Sequence, residues 1–93
     1  MILTKHCSQR MQQRGIPQEL PFLIKEYGEF INSHNDRKYF CNKKTIKKLT
    51  NDQSGRVILK KYDKHLLNTA IVCNEEICIT VMKIKERKMM RRN

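Results

Sequence analysis

The sequence predicts an α+β protein in which two N-terminal helices pack on a small antiparallel sheet, in the order α-α-β-β-α-β-β. Three observations support this class. The chain has 93 residues, enough for one domain and too few for two catalytic lobes. Apolar residues recur at helical spacing near the start, whereas two later pairs of β-branched and aromatic segments are separated by turn residues. Hydrophobic residues make up 39% of the chain, which suits a folded domain.

The first helix is predicted from a cap, an apolar face and a stop. Thr4 can cap a helix that runs through Arg14, and Gly15 can take the left-handed conformation that ends it. Cys7 and Met11 lie four residues apart and therefore share one face. We expect that face to be buried, with a polar strip beside it.

A second helix is expected over residues 18–27. Its apolar residues have the spacing i, i+3, i+4, i+7, and they are Leu20, Leu23, Ile24 and Tyr27. Pro21 is tolerated in a first turn but not in a helix interior, so the regular part begins near Glu19. Gly28 is the predicted stop.

Two hairpins and a third helix complete the predicted fold. The first hairpin pairs residues 29–33 with 38–41 across the turn at 34–37, and the second pairs 67–73 with 77–83. Between them, Asn42 can cap a helix that reaches Leu66. Whether Ser54 and Gly55 divide this helix is left open, because a helical glycine costs only about 1 kcal/mol.

The last strand is predicted to have one core face. Two sets of side chains alternate along it, with Ile77, Ile79 and Val81 in one set and Cys78, Thr80 and Met82 in the other. We therefore predict a single domain over residues 1–83, followed by a basic C-terminal tail over 84–93. Such a tail is either a solvated segment or an arm that binds nucleic acid.

The charge is strongly unbalanced. Twenty Lys and Arg residues against nine Asp and Glu give a net charge of +11 and a pI of about 9.8. A field of this size attracts polyanions, and nucleic acid is the first candidate because basic side chains that neutralise phosphates release counterions. An anionic membrane surface, an acidic protein, or no specific partner are the alternatives.

No run of eighteen apolar residues and no secretory apolar segment is present, so we expect a cytoplasmic protein without a membrane span.

Four cysteines occur without a CxxC pair or a histidine at zinc-ligand spacing. Buried free thiols are the favoured interpretation, with a disulfide or a metal site as alternatives. The cysteines are Cys7, Cys41, Cys73 and Cys78.

His6, Arg10 and Arg14 form the most suggestive group of polar residues, because a helix places all three on one strip. RNA cleavage needs a proton-transfer group and positive charge for the phosphorane, but no cofactor. Histidine exchanges a proton near neutrality, and arginine offers forked, permanently charged donors to phosphate. The alternative is an ordinary solvated helix face.

The remaining basic residues and histidines carry weaker signals. His34 and His65 have no partner at an informative spacing, so we expect them at the surface or at the end of an element. Lysines recur between residues 43 and 64. We expect them to form the solvent-exposed face of the third helix, or to extend the positively charged surface that binds phosphate.

The run TKHCSQRMQQRGIPQELPFLIKEYGE resembles the opening of a small bacterial family of uncharacterised domains, with a His, an Arg four residues later, a Met and then Arg-Gly-Ile. The ending NTAIVCNEEICITVMKIKERK resembles that family's closing hairpin. The family is similar in layout to the RelE and BrnT group of toxins, which cut RNA. The resemblance implies a RelE/BrnT-like fold and a phosphate-binding cleft on the open side of the sheet.

In that cleft, His6 would be the general base or acid, Arg10 would stabilise the transition state, and Thr80 would donate a hydrogen bond. The residues expected to bind the nucleic acid are Arg14, Lys83, Lys85 and Arg87. No metal or cofactor is expected, and the identity of a second proton-transfer residue is not predicted.

These inferences lead to three hypotheses. The first is a metal-independent endoribonuclease, the toxin of a toxin–antitoxin pair, acting on free or ribosome-associated RNA and held inactive by an acidic antitoxin protein. The second is a non-catalytic basic module that binds nucleic acid or a host component. The third is a protein that uses its tail at a membrane surface. Base preference and oligomeric state are not predicted.

Overall fold

The computed structural model describes residues 1–84, which form five strands and four helices. The strands are β1 (Ile2–Leu3), β2 (Glu29–Ser33), β3 (Asp36–Phe40), β4 (Thr69–Asn74) and β5 (Ile77–Lys83). The helices are α1 (Lys5–Gln13), α2 (Leu20–Tyr27), α3 (Lys43–Thr50) and α4 (Gln53–Leu66). The α+β class is confirmed. The predicted order is wrong, because the elements follow one another as β-α-α-β-β-α-α-β-β.

The sheet has the strand order β1-β5-β4-β3-β2 and is mixed. The strands from β2 to β5 pair antiparallel, as predicted, but β1 lies parallel to β5. The Ile2 N–H donates to the Glu76 carbonyl at 2.7 Å, and the Thr4 N–H donates to the Cys78 carbonyl at 3.1 Å. The prediction of a wholly antiparallel sheet is therefore wrong, because the segment leading into α1 supplies backbone hydrogen bonds to the edge of β5.

The first two helices begin and end close to their predicted positions. Thr4 caps α1, and Gly15 has a φ of +63° just beyond it, as expected. Pro21 lies in the first turn of α2. Gly28 does end α2, although its φ of −80° is not left-handed. A Cβ atom at Gly28 would collide with the Phe40 carbonyl, so close packing of backbones is the reason for glycine there.

The predicted third helix is two helices. α3 ends at Thr50, and Asp52 caps α4 by accepting a hydrogen bond from the Gly55 N–H at 3.0 Å. Ser54 and Gly55 therefore lie in the first turn of α4 and not at the break. A Cβ atom at Gly55 would lie 2.7 Å from the Leu49 Cα, so glycine lets the start of α4 pack against the end of α3.

Both predicted hairpins are present, with shorter turns than expected. β3 begins at Asp36, which leaves only His34 and Asn35 as the turn, and His34 has a φ of +57°. The second turn is made by Glu75, with a φ of +52°, and Glu76. Positive φ values at these turns match the right-handed twist of the strands that they join.

A bulge in β5 changes which side chains reach the core. Cys73 pairs with Cys78 and Val72 pairs with Thr80, so Ile79 is an extra residue in β5. Cys78 and Val81 are both fully buried, although they belong to different predicted sets. The prediction that one alternating set faces the core is therefore wrong for this strand.

The buried apolar side chains form one cluster between the helices and one face of the sheet. Tyr39, Ile71 and Val81 lie opposite one another across three strands and belong to this cluster, which we call the core face. Lys38, Val72 and Thr80 are the matching row on the outer face. Of the predicted tail over 84–93, all but Ile84 lies outside the described residues.

Candidate nucleic-acid interface

The position of α1 is fixed by Thr4. Its Oγ1 accepts a hydrogen bond from the Cys7 N–H at 3.0 Å and donates one to the Ile79 carbonyl at 2.9 Å. One hydroxyl therefore caps the helix and ties its first turn to β5. Cys7 and Met11 are buried, at 0% and 2% exposure, as their spacing predicts.

The strip beside this buried face carries His6, Arg10 and Arg14. His6 and Arg14 are exposed and Arg10 is half-buried. His6 and Arg10 lie one turn apart on α1, and Arg14 is the residue that ends the helix. The structure therefore brings these three predicted side chains to one strip, with the imidazole in solvent and not in the core.

Arg10 carries an unpaired charge within residues 1–84. The described ion pairs do not include its guanidinium, and its Nε atom is buried without a hydrogen-bond partner. Buried polar atoms of this kind are uncommon, and each needs a physical reason. An anion that reaches the guanidinium would find its charge uncompensated by any carboxylate in the described chain.

The predicted residues on β5 are arranged differently. The side chain of Thr80 lies on the outer face, in the row with Val72, and its hydroxyl donates to the Val81 carbonyl at 3.3 Å. Lys83 is exposed at the end of the strand. The described hydrogen bonds join neither Thr80 nor Lys83 to the strip of His6, Arg10 and Arg14, and Thr80 lies in the row on the outer face of the sheet. Lys85 and Arg87 lie outside the described residues.

A second basic surface lies on the helical pair α3–α4. Residues 43–66 hold eight Lys and Arg and only two Asp, and all eight basic side chains are exposed. Among residues 1–84, Lys48 is the one of the eight that has a carboxylate partner, 3.9 Å from Glu29. The basic residues are Lys43, Lys44, Lys47, Lys48, Arg56, Lys60, Lys61 and Lys64. The lysines therefore form the predicted solvent-exposed face, which lies on α3 and α4, and most of them are free to contact an anionic ligand.

The inner side of α4 is held by Tyr62. Its hydroxyl donates a hydrogen bond to the Glu19 carboxylate just before α2. This hydrogen bond lowers the pKa of Glu19 and raises the pKa of Tyr62. The same ring has the Lys61 ammonium 5.5 Å from its centroid. Tyr62 therefore packs and orients the basic helix and is not free to stack on a nucleobase.

The other histidines have the placement that the sequence predicts. His34 is exposed in the β2–β3 turn, and His65 is half-buried in the last turn of α4.

The four cysteines are free and buried, which agrees with the favoured interpretation. In the described part of the chain, no three His, Cys, Asp or Glu side chains are grouped to hold a metal ion, and none of the four helices has the length and apolar composition of a transmembrane span.

One polar cavity was not predicted from the sequence. It has a volume of about 400 Å³ at the end of the sheet where the two hairpin turns lie. Lys25, Arg37 and Cys73 line it, together with Asn35, Tyr39, Glu75 and Glu76. The sequence predicts a turn at Arg37, and no spacing in the sequence connects this residue to Lys25 or to Cys73.

Comparison with known proteins adds no relative: no family model, no curated protein and no solved structure matches the chain.

Proposed function

We propose that the protein is a metal-independent endoribonuclease that cleaves RNA at the α1 strip formed by His6, Arg10 and Arg14. The observation that carries the proposal is the exposure of His6 one turn from a half-buried arginine that has no carboxylate partner among residues 1–84. A proton-transfer group and an uncompensated cation are the two components that phosphodiester cleavage through the 2′-hydroxyl requires.

In the proposed reaction His6 removes the proton of the ribose 2′-hydroxyl, or returns a proton to the leaving 5′-oxygen. Arg10 stabilises the charge that develops on the phosphorane oxygens, and Arg14, exposed at the end of α1, holds an adjacent phosphate. Arginine suits both tasks because it stays charged at every physiological pH.

The rest of the basic surface brings RNA to this strip. The exposed lysines of α3 and α4 create the field that attracts the polyanion. Lys83 adds a phosphate contact at the end of β5, and Lys85 and Arg87 follow it in the sequence. Thr80, on the outer face, has no part in proton transfer in this proposal.

The proposal includes a cytoplasmic toxin of the RelE/BrnT-like group, acting on free or ribosome-associated RNA. It rests on the resemblance of the N-terminal helix and the closing hairpin. A net charge of +11 calls for an acidic antitoxin protein, because charge complementarity would neutralise the basic surface and speed association.

The test is cleavage of a labelled single-stranded RNA by the purified protein in EDTA. We expect cleavage by the wild type, and His6→Ala should lower the rate by about 10²–10⁴-fold while RNA affinity is unchanged. His34→Ala is the matched control, since it removes an exposed histidine from a turn outside the strip. Equal rates for the wild type and for His6→Ala would overturn the proposal.

A second candidate is a nucleic-acid-binding module without catalysis, and the basic α3–α4 surface favours it. This surface carries eight basic residues, whereas the α1 strip carries two arginines and one histidine. The two candidates differ in cells: a toxin loses growth inhibition when His6 and Arg10 are both changed to alanine, whereas a binding module behaves identically with and without these changes.

A further inference from the structure

Three of the four cysteines lie together where α1 meets the sheet. The Sγ atoms of Cys7 and Cys78 are 3.4 Å apart, and both residues are fully buried. Cys73 faces Cys78 directly across the β4–β5 ladder at the bulge. Cys41 is buried elsewhere in the core, where burial raises its pKa to about 12. It therefore serves as an internal reference for an inert thiol.

Among the three buried thiols, Cys73, at 1% exposure, is the one that borders the polar cavity. Cys73 lines that cavity with Lys25 and Arg37, whereas Cys7 and Cys78 do not. The Lys25 ammonium is held at the rim by the Glu75 carbonyl at 3.3 Å and the Glu76 carboxylate at 3.4 Å. A small oxidant that enters this cavity therefore meets Cys73 first.

The three thiols differ in acidity. A hydrogen bond from Cys78 is the largest influence on the pKa of Cys73 and lowers it. The charge of Lys25 acts in the same direction, whereas burial and the carboxylates of Glu76 and Asp36 oppose it. Burial raises the pKa of Cys7, and the hydrogen bond to Cys73 together with burial raises the pKa of Cys78. The cavity thiol thus has the most thiolate character, and the thiolate is the nucleophilic form.

We propose that Cys73, Cys78 and Cys7 form a hydroperoxide-responsive site, in which Cys73 is oxidised first and the disulfide is finally held between Cys7 and Cys78. The site takes a small hydroperoxide as its substrate class and needs no metal. It is independent of the proposed ribonuclease, because its evidence and its test involve neither His6 nor RNA.

The chemistry balances in three steps. The Cys73 thiolate attacks one oxygen of the hydroperoxide, the O–O bond breaks, and Cys73 becomes a sulfenic acid while hydroxide or alkoxide leaves and takes a proton. The Cys78 sulfur then attacks the Cys73 sulfur, the S–O bond breaks, and water leaves with the Cys78 proton. Finally the Cys7 sulfur attacks Cys78, Cys73 leaves as thiolate, and the Cys7 proton passes to solvent.

The relative acidity of the thiols explains why Cys7 displaces Cys73 from the disulfide with Cys78 in the last step. In thiol–disulfide exchange the thiol of lower pKa is the better leaving group, and that thiol is Cys73. Cys7 and Cys78 need to close from 3.4 Å to a bond of about 2.0 Å, a small movement for two side chains already in contact. The product joins α1 covalently to β5.

The experiment treats the full, reduced chain with one equivalent of hydrogen peroxide, blocks the remaining thiols and maps the peptides by mass spectrometry. We expect an intramolecular Cys7–Cys78 disulfide, with Cys41 and Cys73 recovered as alkylated thiols. Cys41→Ser is the matched control and should behave like the wild type. Cys7→Ser should stop at a Cys73–Cys78 disulfide.

Two variants test the entry point. Cys73→Ser should slow disulfide formation at least about tenfold, because the remaining thiols are less acidic. Lys25→Met, which leaves the core intact, should slow it in the same direction by raising the pKa of Cys73. Oxidation of Cys73→Ser at the wild-type rate would overturn the proposal. A disulfide that contains Cys41 or joins two chains, or recovery of four free thiols, would also overturn it.

Discussion

Replacement of Thr4 by alanine tests how α1 is held in place. The substitution removes an oxygen that accepts from the Cys7 N–H at 3.0 Å and donates to the Ile79 carbonyl at 2.9 Å. Loss of an N-cap costs about 1 kcal/mol, and loss of a partner by a partly buried carbonyl costs about 1 kcal/mol more. The free energy of unfolding should therefore fall by about 2 kcal/mol.

The assay is urea and thermal unfolding followed by circular dichroism. For a domain of this size about 1 kcal/mol corresponds to about 4–8 °C, so we expect Tm to fall by about 8–16 °C with an unchanged m-value. Thr4→Ser keeps the oxygen and is the control, with an expected loss below about 0.5 kcal/mol. A Thr4→Ala protein with the stability of the Thr4→Ser protein would refute the view that this hydroxyl holds α1 on β5.

Three further predictions concern the other elements. Gly55→Ala should destabilise the protein by about 1–3 kcal/mol in urea unfolding, because its Cβ would lie 2.7 Å from the Leu49 Cα and force α3 and α4 apart; an unchanged midpoint would show that the two helices can separate freely. Tyr62→Phe should remove a pH-dependent part of stability. The hydrogen bond holds the Glu19 pKa below its ordinary value of 4.5, so its contribution is present above pH 4.5 and is lost as pH falls through the lowered pKa. The deficit of Tyr62→Phe should therefore shrink below pH 4.5 in unfolding curves, and a constant deficit would contradict this. Changing the four lysines of α3 to glutamine should reduce the salt slope of RNA binding by about 0.7 for each lysine that contacts a phosphate, and an unchanged slope would exclude α3 from the interface.

Local patterns in the sequence predicted most of the elements. The cap at Thr4, the left-handed Gly15 and the two hairpins are encoded by residues close to one another in the chain, so spacing and turn chemistry are enough to find them. The sequence left the division of the third helix open, because its apolar residues keep helical phase across residues 51–55. Asp52, three residues before a glycine, carried the signal of a second cap.

Features that depend on distant residues were not predictable in the same way. β1 has two residues and exists only because β5 lies beside it, some 75 positions later. The bulge at Ile79 leaves no trace in an alternating sequence, yet it decides that Cys78 and Val81 are both buried.

The same difference between local and distant residues applies to the candidate sites. His6, Arg10 and Arg14 share one helix, so helical periodicity alone predicted that they lie on one strip. The grouping of Cys7, Cys73 and Cys78 is set by the packing of α1 on β5 and by the register of β4, which no local pattern reports.

Whether RNA contacts the α1 strip can be observed at the side chains themselves. Side-chain NMR of the protein during titration with a 2′-O-methyl oligonucleotide, which binds but cannot be cleaved, reports each contact separately. We predict saturable shifts of the His6 imidazole and of the Arg10 and Arg14 guanidinium groups, with no shift at His34. Shifts confined to the lysines of α3 and α4 would contradict the account and assign the protein to nucleic-acid binding without catalysis.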